Sequence, residues 1–171
     1  MSVRRIASPD LSHTTAGLVG EHLAVAAILQ QGWGCSLASQ DSVDLVAWNK
    51  VTGQRLLVQV KSCQLSRSQR NRLQFQLGLG GVKQRDGTKK KRLPTLSDFD
   101  IMALVSSEQR AVLFMPVTAV KGLKISKEPH IFEDPHIEAD SWRSAVEAID
   151  EITKQKTMYH NGHRRGTSGD S

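Results

Sequence analysis

The pattern of apolar and polar residues along the chain first indicates a helix. Apolar residues recur at helical spacing over residues 16–31, where Thr14-Thr15 offers an N-terminal cap and Gly32 a C-terminal stop. Residues 1–13 remain as an N-terminal arm. They contain no apolar stretch of the kind that a secretory signal requires.

Glu21 has an unusual position in this helix. At about 100° per residue, Leu18, Val25 and Ile28 fall within about 60° of Glu21. A carboxylate on an apolar face costs free energy unless it is paired or binds a metal. A second interpretation stays open, because a Glu21 at the edge of the apolar stripe would reach water.

Three strands are expected next, at residues 35–39, 43–48 and 55–63. The turn-rich connection between the last two is typical of a hairpin. Asp44 opens the second strand. Gln59 and Lys61 share one face of the third strand, and apolar residues alternate with them on the other face. Polar groups therefore collect at one end of an otherwise buried hairpin.

The second half of the chain predicts a basic loop, two strands and a helix. Residues 64–95 have little hydrophobic periodicity apart from one short alternating stretch at 73–79. Strands are expected at 99–105 and 110–117. Asp140 or Ser141 then caps a helix with an apolar stripe, and residues 157–171 are predicted to be a polar, disordered tail. This order predicts one α+β (mixed α/β) domain over residues 14–156, with a central mixed β-sheet flanked by helices.

Composition excludes several classes of protein. A chain of 171 residues suits one domain, and 39% hydrophobic residues argue against disorder. The longest apolar run has seven residues, far fewer than a membrane span needs. Two cysteines cannot form a disulfide framework. We therefore expect a soluble, intracellular (cytoplasmic) protein with no membrane partner.

The positive charge is concentrated in one segment. The formal net charge is +6, yet residues 61–92 alone hold ten basic side chains and one acidic one. A basic block in an otherwise neutral or acidic chain predicts a polyanionic partner such as nucleic acid, although a charge run alone also fits a solvated loop. The residues predicted to bind DNA are Arg67, Arg70, Arg72, Lys83, Arg85, Lys89, Lys90, Lys91 and Arg92.

The predicted helix and hairpin bring together four side chains suited to phosphodiester hydrolysis: Glu21, Asp44, Gln59 and Lys61. Mg²⁺ is usually held by one or two carboxylates together with neutral oxygens, waters and substrate phosphate. Asp44 and Glu21 supply the carboxylates, and the Gln59 amide oxygen or the Val60 backbone carbonyl supplies the neutral oxygen. Lys61 would orient the attacking water or offset charge in the transition state. Mn²⁺ is expected to substitute for Mg²⁺.

The segments GLVGEHLAVAAIL, DSVDLVAW, LLVQVKSC and DFDIMALVSSEQRAVLFMPV together resemble the PD-(D/E)XK nuclease superfamily over roughly residues 15–120. Gln59 gives a QxK variant, which is similar to the group I intron homing endonucleases of this fold. The Glu on the first helix is shared with Holliday junction resolvases. The chain departs from the usual pattern at Val43, where Pro is common, and at Gln59, which leaves the number of bound metals open.

This resemblance implies a restriction-endonuclease-like αβββαβ core and a Mg²⁺-dependent DNA endonuclease that uses Glu21, Asp44, Gln59 and Lys61. A homing-type or related double-strand endonuclease is the preferred interpretation. A resolvase of branched DNA and a non-catalytic nucleic-acid-binding module are the alternatives. Because cutting both strands needs two active sites, we expect a homodimer or a dimer of dimers.

Overall fold

A five-stranded mixed sheet carries both helices on one of its faces. The computed structural model describes residues 13–40, 43–63, 72–80 and 91–163. The elements in this part of the chain are α1 (His13–Gln30), β1 (Gly34–Gln40), β2 (Val43–Trp48), β3 (Arg55–Cys63), β4 (Leu73–Gln76), β5 (Ile101–Ser106), β6 (Ala111–Pro116), β7 (Lys124–Lys127) and α2 (Ile137–His163). Neither helix is both long and apolar enough to cross a membrane.

The central sheet has the strand order β1-β2-β3-β5-β6. The β3–β5 pair is parallel and the other pairs are antiparallel. The hairpin predicted between β2 and β3 is confirmed. In its turn, the Asn49 side chain accepts hydrogen bonds from the backbone N–H groups of Val51 (2.9 Å) and Thr52 (3.0 Å). The mixed sheet flanked by helices agrees with the predicted fold class.

The two faces of the sheet bury separate cores. On one face, Leu56, Val58 and Val60 of β3 pack with α1 and α2, as the alternation of β3 predicted. On the other face, Met102 and Leu104 of β5 pack with residues of a small two-stranded sheet formed by β4 and β7. The central sheet is therefore covered by helices on one side and by the β4–β7 sheet on the other.

β7 and the pairing of β4 with it were not predicted from the sequence. The prediction gave a short strand near β4 and irregular structure up to residue 139. The signal for β7 is short, since only Leu123 and Ile125 alternate with polar residues there. The described parts of the connection from β3 to β5, residues 72–80 and 91–100, contain β4 and no helix. Within the described residues, the second helix, α2, follows β6.

Both helices differ from their predicted limits. α1 begins at His13, so Thr14 and Thr15 lie inside the helix and not at its cap. Its end is as predicted, with Gly32 at a φ of 80° and its N–H donating to the Leu29 carbonyl at 3.0 Å. Only a residue that tolerates positive φ fits there without strain. Residues 1–12 lie outside the described residues.

α2 begins at Ile137, three or four residues before the predicted cap. The Asp134 side chain accepts a hydrogen bond from the His136 N–H at 2.9 Å, just before the helix. Ser141, expected at the cap, instead lies on the inner side of the helix. α2 also runs to His163, so the first part of the predicted tail, residues 157–163, is helical; residues 164–171 are not described. No glycine or proline occurs between the apolar stripe and Asn161, so nothing stops the helix earlier.

α2 closes the outer edge of the sheet. An edge strand exposes unpaired backbone donors, and β6 is such a strand. The Val112 N–H donates to the Glu138 carboxylate at 3.1 Å, and the Phe114 N–H donates to Ser141 Oγ at 3.0 Å. Side chains of the helix thus satisfy backbone donors that a further strand would otherwise pair.

Gly20 lets α1 approach the sheet closely. A Cβ at this position would lie 1.8 Å from Ser62 Oγ and 3.1 Å from Ser62 Cβ. Ser62 is on β3, next to Lys61. Because Glu21 follows Gly20 directly, this close approach also sets the distance between the Glu21 backbone and the end of β3.

We expect Gly20→Ala to lower the free energy of unfolding by about 1–3 kcal/mol, the usual cost of overpacking. Gly17→Ala is the matched control, since a Cβ there meets nothing within 4 Å. This control should be neutral or stabilise the protein by up to about 1 kcal/mol through helix propensity. Urea unfolding followed by circular dichroism measures both values. Equal effects of the two substitutions would contradict the close approach at Gly20.

Candidate active site

The predicted site residues of the hairpin come together at the end of β3. β2 and β3 pair in register with Val46 opposite Leu57, so Asp44 and Gln59 are brought side by side. Lys61 follows Gln59 on the same face by strand alternation. This face is the one covered by the β4–β7 sheet, whereas α1 packs on the opposite face.

Asp44 is tied to β3 by two hydrogen bonds to the same carboxylate oxygen. The Val60 N–H donates to Asp44 Oδ2 at 2.6 Å, and the Gln59 side-chain amide donates to the same oxygen. Burial raises the pKa of Asp44, while the bond from Val60, the positive charge of Lys61 and the bond from Gln59 act in the opposite direction. The second oxygen, Oδ1, has no hydrogen bond from either of these two donors.

The Gln59 amide occupies the space between two oxygen acceptors. Its side chain is only 6% exposed. Nε2 contacts Asp44 Oδ2 and lies 3.4 Å from the Val60 carbonyl oxygen. The Gln59 NH₂ group, which carries partial positive charge, therefore lies between a carboxylate oxygen and a carbonyl oxygen. A cation would be stabilised by the same two oxygens. A half-turn of the amide would present Oε1 in place of Nε2.

Glu21 reaches the same region from α1. Burial, and then the negative charge of Asp44, raise the pKa of Glu21. An effect of Asp44 on Glu21 requires that the two carboxylates lie within electrostatic range of each other. Glu21 therefore lies within electrostatic range of Asp44, and its membership of the site stays a prediction.

Lys61 is half-buried and has a basic neighbour. Burial lowers the pKa of Lys61, the charge of Asp44 raises it, and the charge of Lys91 lowers it further. The stem of Lys91 packs by Gly78, where an added Cβ would lie 3.1 Å from Lys91 Cβ. The proximity of Lys91 to Lys61 could not be predicted from the sequence, because Lys91 belongs to a run of basic residues predicted to be a flexible loop.

The donor set fits a hard divalent cation better than a soft one. Within the described residues, no three side chains of His, Cys, Asp or Glu are grouped to hold a metal ion. The site offers the oxygens of two carboxylates, an amide and the Val60 carbonyl as ligands. A metal ion bound by these few ligands would keep positions for waters and substrate. Mg²⁺ is bound in that manner, whereas Zn²⁺ sites usually draw on three or four protein ligands that include His or Cys.

Three of the nine residues predicted to bind DNA are described. Arg72 is exposed and lies 3.8 Å from the Glu128 carboxylate. Lys91 is exposed next to the site, and Arg92 is bound to Asp98. The other six lie outside the described residues: Arg67, Arg70, Lys83, Arg85, Lys89 and Lys90.

Arg92 anchors the end of the basic segment to the core. Its Nη1 donates to Asp98 Oδ2 at 2.7 Å, and its Nη2 donates to Oδ1. The Asp98 carboxylate also accepts hydrogen bonds from the Thr95 N–H (2.9 Å) and hydroxyl (3.0 Å). The backbone of Arg92 pairs with that of Leu79. These bonds fix the backbone next to Lys91.

Comparisons with known proteins support the fold. A scan of known protein families and a search of curated proteins give no match. Among solved structures, the fold is similar to that of a bacterial homing endonuclease, I-Ssp6803I. The similarity has a TM-score of 0.61 at 23% sequence identity, and it covers 85% of this chain and 99% of that one. The nuclease-like fold that the sequence motifs implied is thereby confirmed.

Glu21→Gln is expected to increase the free energy of unfolding at pH 8 in EDTA. A raised pKa means that the folded state binds the proton of Glu21 more tightly than the unfolded chain does. The free energy of unfolding of the wild type therefore falls as the pH rises through this pKa. A glutamine at position 21 does not ionise, so the variant does not lose this stability. The gain should vanish below about pH 3.5, where Glu21 is protonated in both states.

Urea unfolding between pH 3.5 and pH 8 measures this dependence. Glu147→Gln, on the exposed side of α2, is the control and should change the stability by less than about 0.5 kcal/mol. A gain for Glu21→Gln that is the same at every pH would show that charge at this position is not its cause.

Proposed function

We propose that this protein is a DNA endonuclease that depends on a divalent metal ion. The observation that carries the proposal is the convergence of Asp44, Gln59 and Lys61 at the end of β3, with Glu21 in electrostatic range. These are the residue types that metal-assisted hydrolysis of a phosphodiester needs. The similarity of the fold to that of a homing endonuclease supports the same function.

Asp44, Glu21, the Val60 carbonyl and a turned Gln59 amide would hold Mg²⁺, or Mn²⁺ in its place. When bound, the metal ion supplies charge neutralisation at the phosphate and makes a water molecule more acidic. Asp44 and Glu21 are the charged part of this set. Burial raises the pKa of both carboxyl groups, and the charge of Asp44 raises that of Glu21 further, so a bound cation would favour their charged forms.

Lys61 would act on the attacking water. Its Nζ lies on the same face as Gln59, and burial together with Lys91 lowers its pKa, so that it exchanges a proton more readily than an ordinary lysine. In the proposed reaction the water oxygen bonds to phosphorus and the bond from phosphorus to the 3′ oxygen breaks. The 3′ oxygen takes up a proton, which leaves a 5′-phosphate and a 3′-hydroxyl.

The basic segment would hold the DNA backbone. Phosphate contacts by lysine and arginine give affinity that depends on salt and carries no sequence information. Among the described residues of this segment, Lys91 lies near enough to Lys61 to affect its charge, so we place Lys91 at the phosphate that is cut. Arg92 forms an ion pair with Asp98 and would hold this end of the basic segment in place beside the site.

A double-strand endonuclease of the homing type is the preferred subclass, because the described fold is similar to that of a homing endonuclease over almost the full length of that chain. Two sites are needed for two strands, so we propose a homodimer or a dimer of dimers. A resolvase of branched DNA would use the same residues on a four-way junction. A binding module without catalysis would leave DNA intact in Mg²⁺.

Asp44→Ala and Lys61→Ala are expected to abolish cleavage while DNA binding stays within about threefold of wild type. For Lys61→Ala, removal of a group that acts on the nucleophile should cost roughly 10²–10⁴ in rate. The substrates are a plasmid pool with random inserts and a labelled four-way junction, each in Mg²⁺ and in EDTA. Gels measure cutting and band shifts measure binding.

Cutting of the plasmid pool in Mg²⁺ but not in EDTA would support a double-strand endonuclease. Preferential cutting of the four-way junction would favour the resolvase. Full activity of Lys61→Ala would contradict the role given to Lys61. Retained band shifts without cutting of either substrate by the wild type would favour the binding module.

Lys91→Ala is expected to lower the rate of cleavage by about tenfold to a hundredfold, the value of one charge-assisted contact to phosphate. Its effect on binding should be much smaller, since the remaining basic residues still contact the backbone. Lys50→Ala is the matched control, because Lys50 is exposed in the hairpin turn at the far end of β3. Equal effects of the two substitutions on cleavage would contradict a place for Lys91 at the cut.

A further inference from the structure

β4 and β7 form a two-stranded antiparallel ribbon whose two faces differ in character. The strands pair with Leu73 opposite Lys127 and Gln76 opposite Lys124. Leu73 and Phe75 on the inner face are fully buried in the second core, and Ile125 packs against the same core. The inner face therefore fixes the ribbon to the central sheet.

The outer face of the ribbon is polar along its whole length. Strand alternation places Gln74, Gln76, Lys124 and Ser126 on it, and the last three of these are exposed. Each of these side chains carries hydrogen-bonding groups, and none is a carboxylate. The face also has no aromatic or aliphatic side chain, so it lacks the apolar centre that stable protein interfaces usually contain.

The ribbon is continuous with the candidate active site. The backbone of Gln74 hydrogen-bonds to Cys63, which is two residues after Lys61. At the other end of β4, the N–H groups of Leu77 and Gly78 donate to the Leu123 carbonyl at 2.8 Å and 3.3 Å. Gly78 in turn packs against Lys91. The ribbon therefore adjoins Lys61 and Lys91, and a polyanion as large as duplex DNA held there would meet it.

We infer that the outer face of this ribbon reads base sequence in the major groove of duplex DNA, an inference that rests on the proposed function. A two-stranded ribbon has the width that the major groove admits. Glutamine pairs with adenine edges, lysine with guanine edges, and serine with either. The basic segment would contact the DNA backbone, which carries no sequence information. The glutamine amides and the serine hydroxyl of the ribbon would discriminate between bases.

A selection from random duplex DNA tests this inference independently of cleavage. The full-length wild type is incubated with the random pool in Ca²⁺ without Mg²⁺, and bound duplexes are sequenced. The ribbon variant combines Gln76→Ala, Lys124→Ala and Ser126→Ala. The matched control combines Gln155→Ala, Lys154→Ala and Ser144→Ala, three exposed residues of the same types on α2.

The wild type and the α2 control are expected to enrich the same motif. The ribbon variant should lose about tenfold or more in preference at a few neighbouring positions. Its affinity for the random pool should stay within about threefold of that of the control, which removes the same charge. Gln76→Lys should exchange the preferred base at one position, a change that a merely structural role would not produce.

A motif that is unchanged in the ribbon variant would overturn the inference and leave the proposed function intact. The same conclusion follows if the wild type binds duplex DNA without enriching any motif, or if the α2 control loses the motif equally. If the wild type binds no duplex DNA, both the inference and the proposed function fail. A ribbon-dependent motif without any cleavage in Mg²⁺ would support the inference and contradict the endonuclease.

Discussion

The hydrogen bond from the Val60 N–H to Asp44 Oδ2, 2.6 Å long, joins β2 to β3 at the end of the sheet where the candidate site lies. It fixes one carboxylate oxygen, and the Gln59 amide then binds the same oxygen. Lys61 follows on the same face. The site thus depends on a carboxylate that is held by the backbone of the neighbouring strand, and a change of strand register would separate these groups.

This arrangement is costly for the folded chain without a ligand. Two carboxylates with raised pKa values and a lysine with a lowered one share a partly buried region. Burial disfavours the charged form of each, and the two carboxylates repel each other. A cation beside the carboxylates and a phosphate beside the lysine would favour the charged form of each group, and groups with perturbed pKa values cluster at functional sites.

The sequence predicted the hairpin that carries the candidate site better than the elements around it. Strand alternation placed Gln59 and Lys61 on one face because β3 is regular and its other face is buried. The helix limits were predicted less well, since α2 begins at Ile137 and Ser141 bonds to the backbone of β6 instead of capping the helix. The β4–β7 pairing and the proximity of Lys91 to Lys61 depend on contacts between distant segments, which local patterns do not reveal.

We propose that Asp44 and Glu21 together hold a divalent cation. Titration of the protein with Mn²⁺, followed by the electron paramagnetic resonance signal of the free ion, measures this directly. The wild type should bind Mn²⁺ in competition with Mg²⁺, and Asp44→Asn, which keeps the size of the side chain, should lose that binding. Equal binding by the wild type and Asp44→Asn would contradict the account.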